Sequence, residues 1–155
     1  MKNGNEYWTA RGLQIVLDYN EWRKFEGVVQ TAKRAEVKNF DKFHNSGYKG
    51  LYNGETADDI AKRKCLRYRE DILDNMGSEE LAANLFRITQ TESKLKRDNI
   101  STEKEANKTH YNIGKNIREV IAKNGGTMPE NLPTPEKSLK QLEKESKKKL
   151  LKQNV

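Results

Sequence analysis

The chain has 155 residues, 34% of them apolar and 34% charged, with a formal net charge of +7. The charged share exceeds the roughly 25% of an ordinary globular domain, so a thin core and an elongated helical shape are expected. No run is apolar enough to span a bilayer, the opening MKNGNEYW lacks the apolar centre of a secretion signal, and a single cysteine excludes an internal disulfide and suits a reducing cytoplasm.

In chain order, Thr9 caps a short helix through about Leu17, with Leu13, Val16 and Leu17 on its apolar face and Tyr7 or Trp8 stapled to its start. Asn20 caps a second helix whose Trp22, Phe25, Val28 and Val29 recur at helical spacing and belong to a core. The segment Phe40 to Gly54 carries five large apolar or aromatic residues among Asn45, Gly47, Gly50 and Gly54. It reads as a short helix followed by a compact aromatic, glycine-rich loop. Thr56 and Asp59 have capping-box spacing and start a helix through about Cys65, which is expected as a small buried apolar residue. Glu70 to Asn75 reads as one more turn, ended by Gly77.

Met76 to Asn99 is the strongest helical pattern. Ser78 is placed to cap it, Glu79 and Glu80 suit the positive end of its dipole, and Lys94, Lys96 and Arg97 suit the negative end. Leu81, Leu85, Ile88 and Leu95 form one apolar face, interrupted by Glu92. A second long helix, Glu103 to Lys123, begins at a Thr102–Glu105 capping box and carries Ala106, His110, Ile113, Ile117, Val120 and Ile121 on one side. His110 on that seam reads as a packed histidine. Asn124-Gly125-Gly126 stops the helix. Thr127 to Pro135 is expected to be extended, because its three prolines restrict it. A charged helix, Glu136 to about Lys152, closes the chain with only Leu139, Leu142, Leu150 and Leu151 as apolar positions, and alone it is marginal. The fold class is all-α: about six helices, the aromatic loop and the charged C-terminal helix. The expected division is 1–39, 40–126 and 127–155.

No catalytic constellation stands out. His44 and His110 lack metal-ligand spacing, and YKGLYNG lacks the lysine-serine ending of a phosphate loop. Asp71 and Asp74 are the carboxylates best placed for a metal-dependent nuclease, with helix-end charge as the plainer reading. No cofactor and no enzyme activity are expected. The positive charge is localised instead. Ile60 to Arg69 holds five cations (Lys62, Arg63, Lys64, Arg67 and Arg69) and no acid, and Glu136 to Val155 holds seven lysines against three acids. Together these two segments exceed the whole net charge, so the rest of the chain is slightly acidic. Such clusters can neutralise phosphates. The candidate binding residues are Lys62, Arg63, Lys64, Arg67, Arg69, Lys94, Lys96 and Arg97, with Lys147–Lys152 as a further basic run. Tyr68, Tyr48 and Tyr52 are the aromatics that could stack bases near the first run.

Several strings resemble one family. FHNSGYKGLYNG (Phe43–Gly54), MGSEELAANLFRITQTESKLKRD (Met76–Asp98) and GGTMPENLPTP (Gly125–Pro135) are similar to the DNA-damage-inducible protein D (DinD) family of bacteria. Ala106–Arg118, Ser138–Glu143 and Tyr7–Phe25 fit as well. Family members are typically longer, with an N-terminal part like the BRO-type domain of phage antirepressors. Here the chain passes from the start of that domain, around 31–35, to the C-terminal half at 36–43, as a natural short form or an internally deleted chain. The resemblance implies a non-enzymatic, cytoplasmic and nucleoid-associated accessory of the bacterial SOS response. It would modulate RecA filaments on single-stranded DNA, with the filament or the strand as partner, no membrane contact and a possible homo-oligomer. Two rivals are an antirepressor-like DNA-binding regulator and a helical interaction module without nucleic-acid contact.

Overall fold

The structure, a computed structural model, describes residues 27–67 and 72–154. The two helices expected between Thr9 and Phe25, and Tyr68 and Arg69, lie outside these residues. Among the described residues the fold is all-α. Helix α1 covers 27–34. It is followed by α2 (Phe40–Leu51), α3 (Ala57–Arg63), a 3-10 turn at Leu73–Asn75, α4 (Ser78–Arg97), α5 (Glu103–Lys123), a second 3-10 turn at Pro129–Asn131, and α6 (Leu139–Gln153).

The helix starts follow local chemistry. Thr56 and Asp59 form a complete capping box at α3, and Ser138 and Gln141 form another at α6. Thr102 accepts from the Glu105 amide at the start of α5, and Asn39 accepts from the Lys42 amide at α2. At α4 the N-cap is Gly77, which has no side chain to offer, and Ser78 is already the first helical residue. The expected Ser78 cap is therefore not made.

The helix ends share one device. After α1, α3, α4 and α5 a residue with positive φ turns the chain: Glu36 (59°), Cys65 (56°), Asn99 (48°) and Gly125 (69°). In each case the next amide reaches back to close a wide turn. Val37 donates to Ala32, Leu66 to Ala61, Ile100 to Leu95 and Gly126 to Ile121, at 3.1, 2.8, 3.1 and 2.9 Å. Three of these donors are apolar residues that fold back against the core, Val37 within it and Leu66 and Ile100 at its edge. Cys65 itself is exposed, not buried, because its place in the turn points it outward.

The expected aromatic loop is instead helix. Residues Phe40 to Leu51 form twelve continuous helical residues that pass through both Gly47 and Gly50. The glycines are there for contact. A Cβ on Gly114 of α5 would lie 2.7 Å from the Gly47 carbonyl oxygen and 2.8 Å from the Leu51 nitrogen, and one on Gly50 would strike the Tyr111 carbonyl. Gly50 and Gly114 thus let the backbones of α2 and α5 touch, while Gly47 leaves room for the Arg87 and His110 side chains, which a Cβ there would strike. The cost of glycine within a helix, about 1 kcal/mol each, is accepted in exchange for this packing. The two helices run in the same direction: Phe43 meets His110 and Leu51 meets Arg118, both 67 residues apart.

The proline-rich segment is not extended throughout. Pro129–Asn131 makes a 3-10 turn with proline at its start, where a missing amide hydrogen costs nothing. Glu130 in that turn accepts two hydrogen bonds from Arg118, each 2.7 Å, and this fork ties the segment to α5.

Among the described residues two apolar clusters form the core. One gathers Leu51, Tyr52, Ile60, Ile72, Met76 and Leu81 with Ile117 and Leu139. The other gathers Val28, Ala32, Ala35 and Val37 with Phe43, Ile88, Leu95 and Ala106. Residues on both sides of position 40 share this second cluster. Helix α4 runs past both, and polar residues fill the space between them. Helix α6 docks through Leu139 and through its Lys140 amide, which donates to Asp74. Its distal Leu150 and Leu151 are exposed.

Candidate functional site

The buried face of α4 is not the expected leucine face alone. Glu80, Asn84, Arg87 and Thr91, spaced by four, three and four residues, are buried alongside Leu81, Ile88 and Leu95. They form a continuous polar path across the interior. Lys64 donates to one oxygen of Glu80 at 2.6 Å, and the Tyr52 hydroxyl donates to the other at 2.5 Å. The Asn84 amide donates to the Tyr52 oxygen and to the Glu80 carbonyl, both at 2.9 Å. The Asn84 carbonyl accepts from Arg87 at 3.0 Å. Arg87 then donates to Nε2 of His110, whose Nδ1–H donates to the Phe43 carbonyl at 2.9 Å. The path links α2, α3, α4 and α5.

Donor and acceptor roles set the state of His110. A backbone carbonyl can only accept and an arginine can only donate. The imidazole therefore carries its hydrogen on Nδ1 and keeps a lone pair on Nε2, so it is neutral. Burial first, and then the Arg87 charge and His44, hold its pKa well below the ordinary histidine value. Burial and Arg87 likewise lower His44 to about 4, against an opposing pull from Asp41. Burial lifts the pKa of Tyr52, and the Glu80 carboxylate lifts it further. Tyr48 is raised mainly by burial, with Arg87 pulling against it.

Arg87 is the largest fully buried side chain among the described residues, and burial lowers its pKa. Its guanidinium lies 4.7 Å from the centre of the Tyr48 ring, a cation–π contact in an interior where such contacts are strong. Its Nε has no hydrogen-bond partner. The path carries a net charge of +1, from Lys64 and Arg87 against Glu80. It is sealed from solvent at every member, so its chemistry is structural: it fixes which helix faces meet. Among the described residues no group of three His, Cys, Asp or Glu side chains could hold a metal.

The basic residues singled out from sequence separate into different environments. Lys64 is a correction. Both it and Glu80 have side chains with no exposed surface, so its ammonium serves the interior and cannot reach a phosphate. Lys62 and Arg67 are exposed on the surface at the end of α3. Arg63 pairs with Glu55 at 3.1 Å and sits 5.8 Å from the Tyr52 ring centre. Arg69 lies outside the described residues. At the far end of α4, Lys94 pairs with Asp98, Lys96 with Glu92, and Arg97 lies 3.6 Å from Asp98. The two runs do not form one patch. Lys64 touches the first turn of α4, and Lys94 begins the last, about 20 Å further along the helix axis.

Two surface grooves were not foreseen. One, of about 620 Å³, lies between α4 and α5 and is lined by Phe86, Ala83, Ile113, Val120, Ile121 and Leu132 among others. Phe86 and Val120 are 54% and 56% exposed, so Val120, on the apolar side expected of α5, lies open. The other, of about 510 Å³, lies between the end of α2 and α5 and includes Lys49, Tyr111 and Lys115. The signal for the buried polar path was present in the sequence: Glu80, Asn84, Arg87 and Thr91 repeat at the same spacing as the leucines.

The class of protein is therefore an all-α, basic module, clamped by a buried polar path and presenting open surfaces. Its particular kinship comes from comparison with known proteins. The model of the DinD C-terminal domain matches residues 13–142, and the chain belongs to this family. The DNA damage-inducible protein D of Escherichia coli (strain K12) is 54% identical over 114 residues, which are 74% of this chain and 42% of that protein. The chain thus spans less than half the length of the curated relative it matches. No solved structure matches it.

Proposed function

We propose that this protein is a non-enzymatic accessory of the bacterial DNA-damage response that modulates RecA filaments on single-stranded DNA. The observation that carries the reading is the family match, with a relative whose name ties it to DNA damage. The surface supports it in kind. The apolar groove at Phe86 and Val120 offers a face for a protein partner. Lys62, Arg63 and Arg67 beside α3, and Lys94, Lys96 and Arg97 at the end of α4, offer cations for an acidic groove or a phosphate chain. Arg69 belongs to the first of these runs, and Lys64 drops out of it. The reading implies a cytoplasmic, nucleoid-associated protein.

The test is strand exchange and filament lifetime on single-stranded DNA with purified RecA. The expected outcome is faster disassembly or suppressed exchange at stoichiometric protein. Phe86→Asp with Val120→Asp is expected to remove the effect while leaving the helical content unchanged. No effect of the wild-type protein at any stoichiometry rejects the reading.

A further inference from the structure

One face of α5 combines charge and aromaticity in a way that neither sequence-selected basic run does. Lys104, Lys108, Tyr111 and Lys115 follow one another at four, three and four residues. At 3.6 residues per turn they fall within about a sixth of the helix circumference and extend over about 16 Å. All four are exposed, Tyr111 by 41% of its surface. No ion pair among the described residues engages Lys104, Lys108 or Lys115. This contrasts with Arg63, Lys94 and Lys96, each already bound to a carboxylate.

The parallel packing of α2 brings one more cation, Lys49, to the other side of the groove. The close contact at Gly50 sets α2 against the Tyr111 turn, and Lys49 enters the same groove as Tyr111 and Lys115. Beyond Lys49 the floor is small: Gly50 and Gly54 line the groove, and a Cβ on Gly54 would meet nothing within 4 Å. Arg118 also borders it but is held by Glu130. The acid lining the groove is Glu119. The result is a shallow, open channel with cations on both sides and an aromatic ring between them.

We propose that the α2–α5 face binds a single-stranded polynucleotide, with Lys108 and Lys115 along one side and Lys49 opposite Lys115 on its phosphates, and Tyr111 stacking on a base. The charge row alone would suit any polyanion. The ring selects an unpaired strand, because in a duplex the base faces are already stacked and out of reach. The proposal deepens the filament reading and rests on it for the strand's setting. The binding itself needs no RecA.

The experiment is fluorescence anisotropy of labelled oligothymidylate, oligouridylate and a duplex of mixed sequence, each titrated with the protein at several salt concentrations and without RecA. The wild type is expected to bind the single strands more tightly than the duplex, with an affinity that falls as salt rises; the two single strands tell DNA from RNA. The variant Lys49→Gln, Lys108→Gln, Lys115→Gln is expected to flatten the salt slope by about 0.7 per lysine removed. Tyr111→Ala is expected to weaken binding about tenfold, and Tyr111→Phe, which keeps the ring, to restore it. Circular dichroism and thermal unfolding check that these surface variants stay folded. A comparison variant that removes three exposed cations elsewhere, Lys33→Gln, Arg34→Gln, Lys144→Gln, is expected to keep most of the affinity. Absent binding by the wild type, equal losses in both triple variants, or preference for the duplex overturns the proposal. An effect on RecA filaments without naked-strand binding would overturn it while leaving the filament reading in place.

Discussion

Nζ of Lys64 lies 2.6 Å from Oε1 of Glu80, and neither side chain has any exposed surface. The pair joins the end of α3 to the first turn of α4, and the Tyr52 hydroxyl on the second carboxylate oxygen brings in α2. Removing one partner of such a pair leaves a buried charge without its counter-charge, which costs about 3–5 kcal/mol. Lys64→Met is therefore expected to destabilise the protein by about that amount in urea unfolding. Lys64→Met combined with Glu80→Gln keeps an acceptor for Tyr52 and removes both charges. It is expected to recover most of the loss, whereas equal losses in the single and double variants would mean the pair is not coupled.

The glycines of α2 and α5 give a second prediction. Gly114→Ala places a methyl group against the backbone of Gly47 and Leu51, and Gly50→Ala places one against the Tyr111 carbonyl. Neither neighbour is a side chain that can swing aside, so the helices must separate. Overpacking of this kind costs about 1–3 kcal/mol or more, even though alanine is the better helix former by about 1 kcal/mol. Both variants should lower the melting temperature. A rise would show that the two helices do not meet at these residues.

The left-handed caps predict stabilising changes. Glu36 and Cys65 hold φ near +59° and +56°, where a Cβ costs about 1 kcal/mol relative to glycine. Glu36→Gly and Cys65→Gly are each expected to raise the unfolding free energy by about 0.5–1 kcal/mol, which chemical denaturation can resolve. The exposed Cys65 thiol should also react with a thiol reagent in the folded protein.

Acid should unfold the protein through its histidines. Folded His110 is held neutral by its two hydrogen bonds, and His44 ionises only near pH 4. In the unfolded chain both take up a proton near pH 6.5. For a base whose folded pKa is lowered, stability is complete above the unfolded pKa and is lost as pH falls through the window between the two values. The expected loss is about 1.4 kcal/mol per pH unit for each histidine below about pH 6.5. Thermal unfolding between neutral pH and pH 5 measures it, and His44→Asn should roughly halve the slope. A flat profile would contradict the neutral, buried state of His110.

Much of the fold is local and so could be read along the chain. Thr56 and Asp59 lie three residues apart, Thr102 precedes a clean helical period, and Asn124-Gly125-Gly126 can only be a stop; each works through neighbours in sequence. The same holds for the choice of an all-α chain and for His110 as a packed residue. What could not be read locally was the meaning of residues that depend on a distant partner. Gly47 and Gly50 have the composition of a loop, and only the approach of α5, some sixty residues away, makes them a helical contact surface. Lys64 sits in a run of cations and would be a surface charge if Glu80 did not meet it inside. Ser78 was one position from the cap, a shift set by where Gly77 leaves the preceding turn.

The sequence by itself determined where most helices begin and end, because capping and propensity act over three or four residues. The tertiary structure alone decided how far each interior face extends beyond the apolar stripe. An α-helix offers leucines and polar residues at the same spacing, and the choice between them falls to whichever partners can satisfy both apolar surface and hydrogen bonds. On α4 that choice buried Glu80, Asn84 and Arg87 and left Phe86 outside. On α5 it left Tyr111, the neighbour of the packed His110, toward solvent beside the lysines.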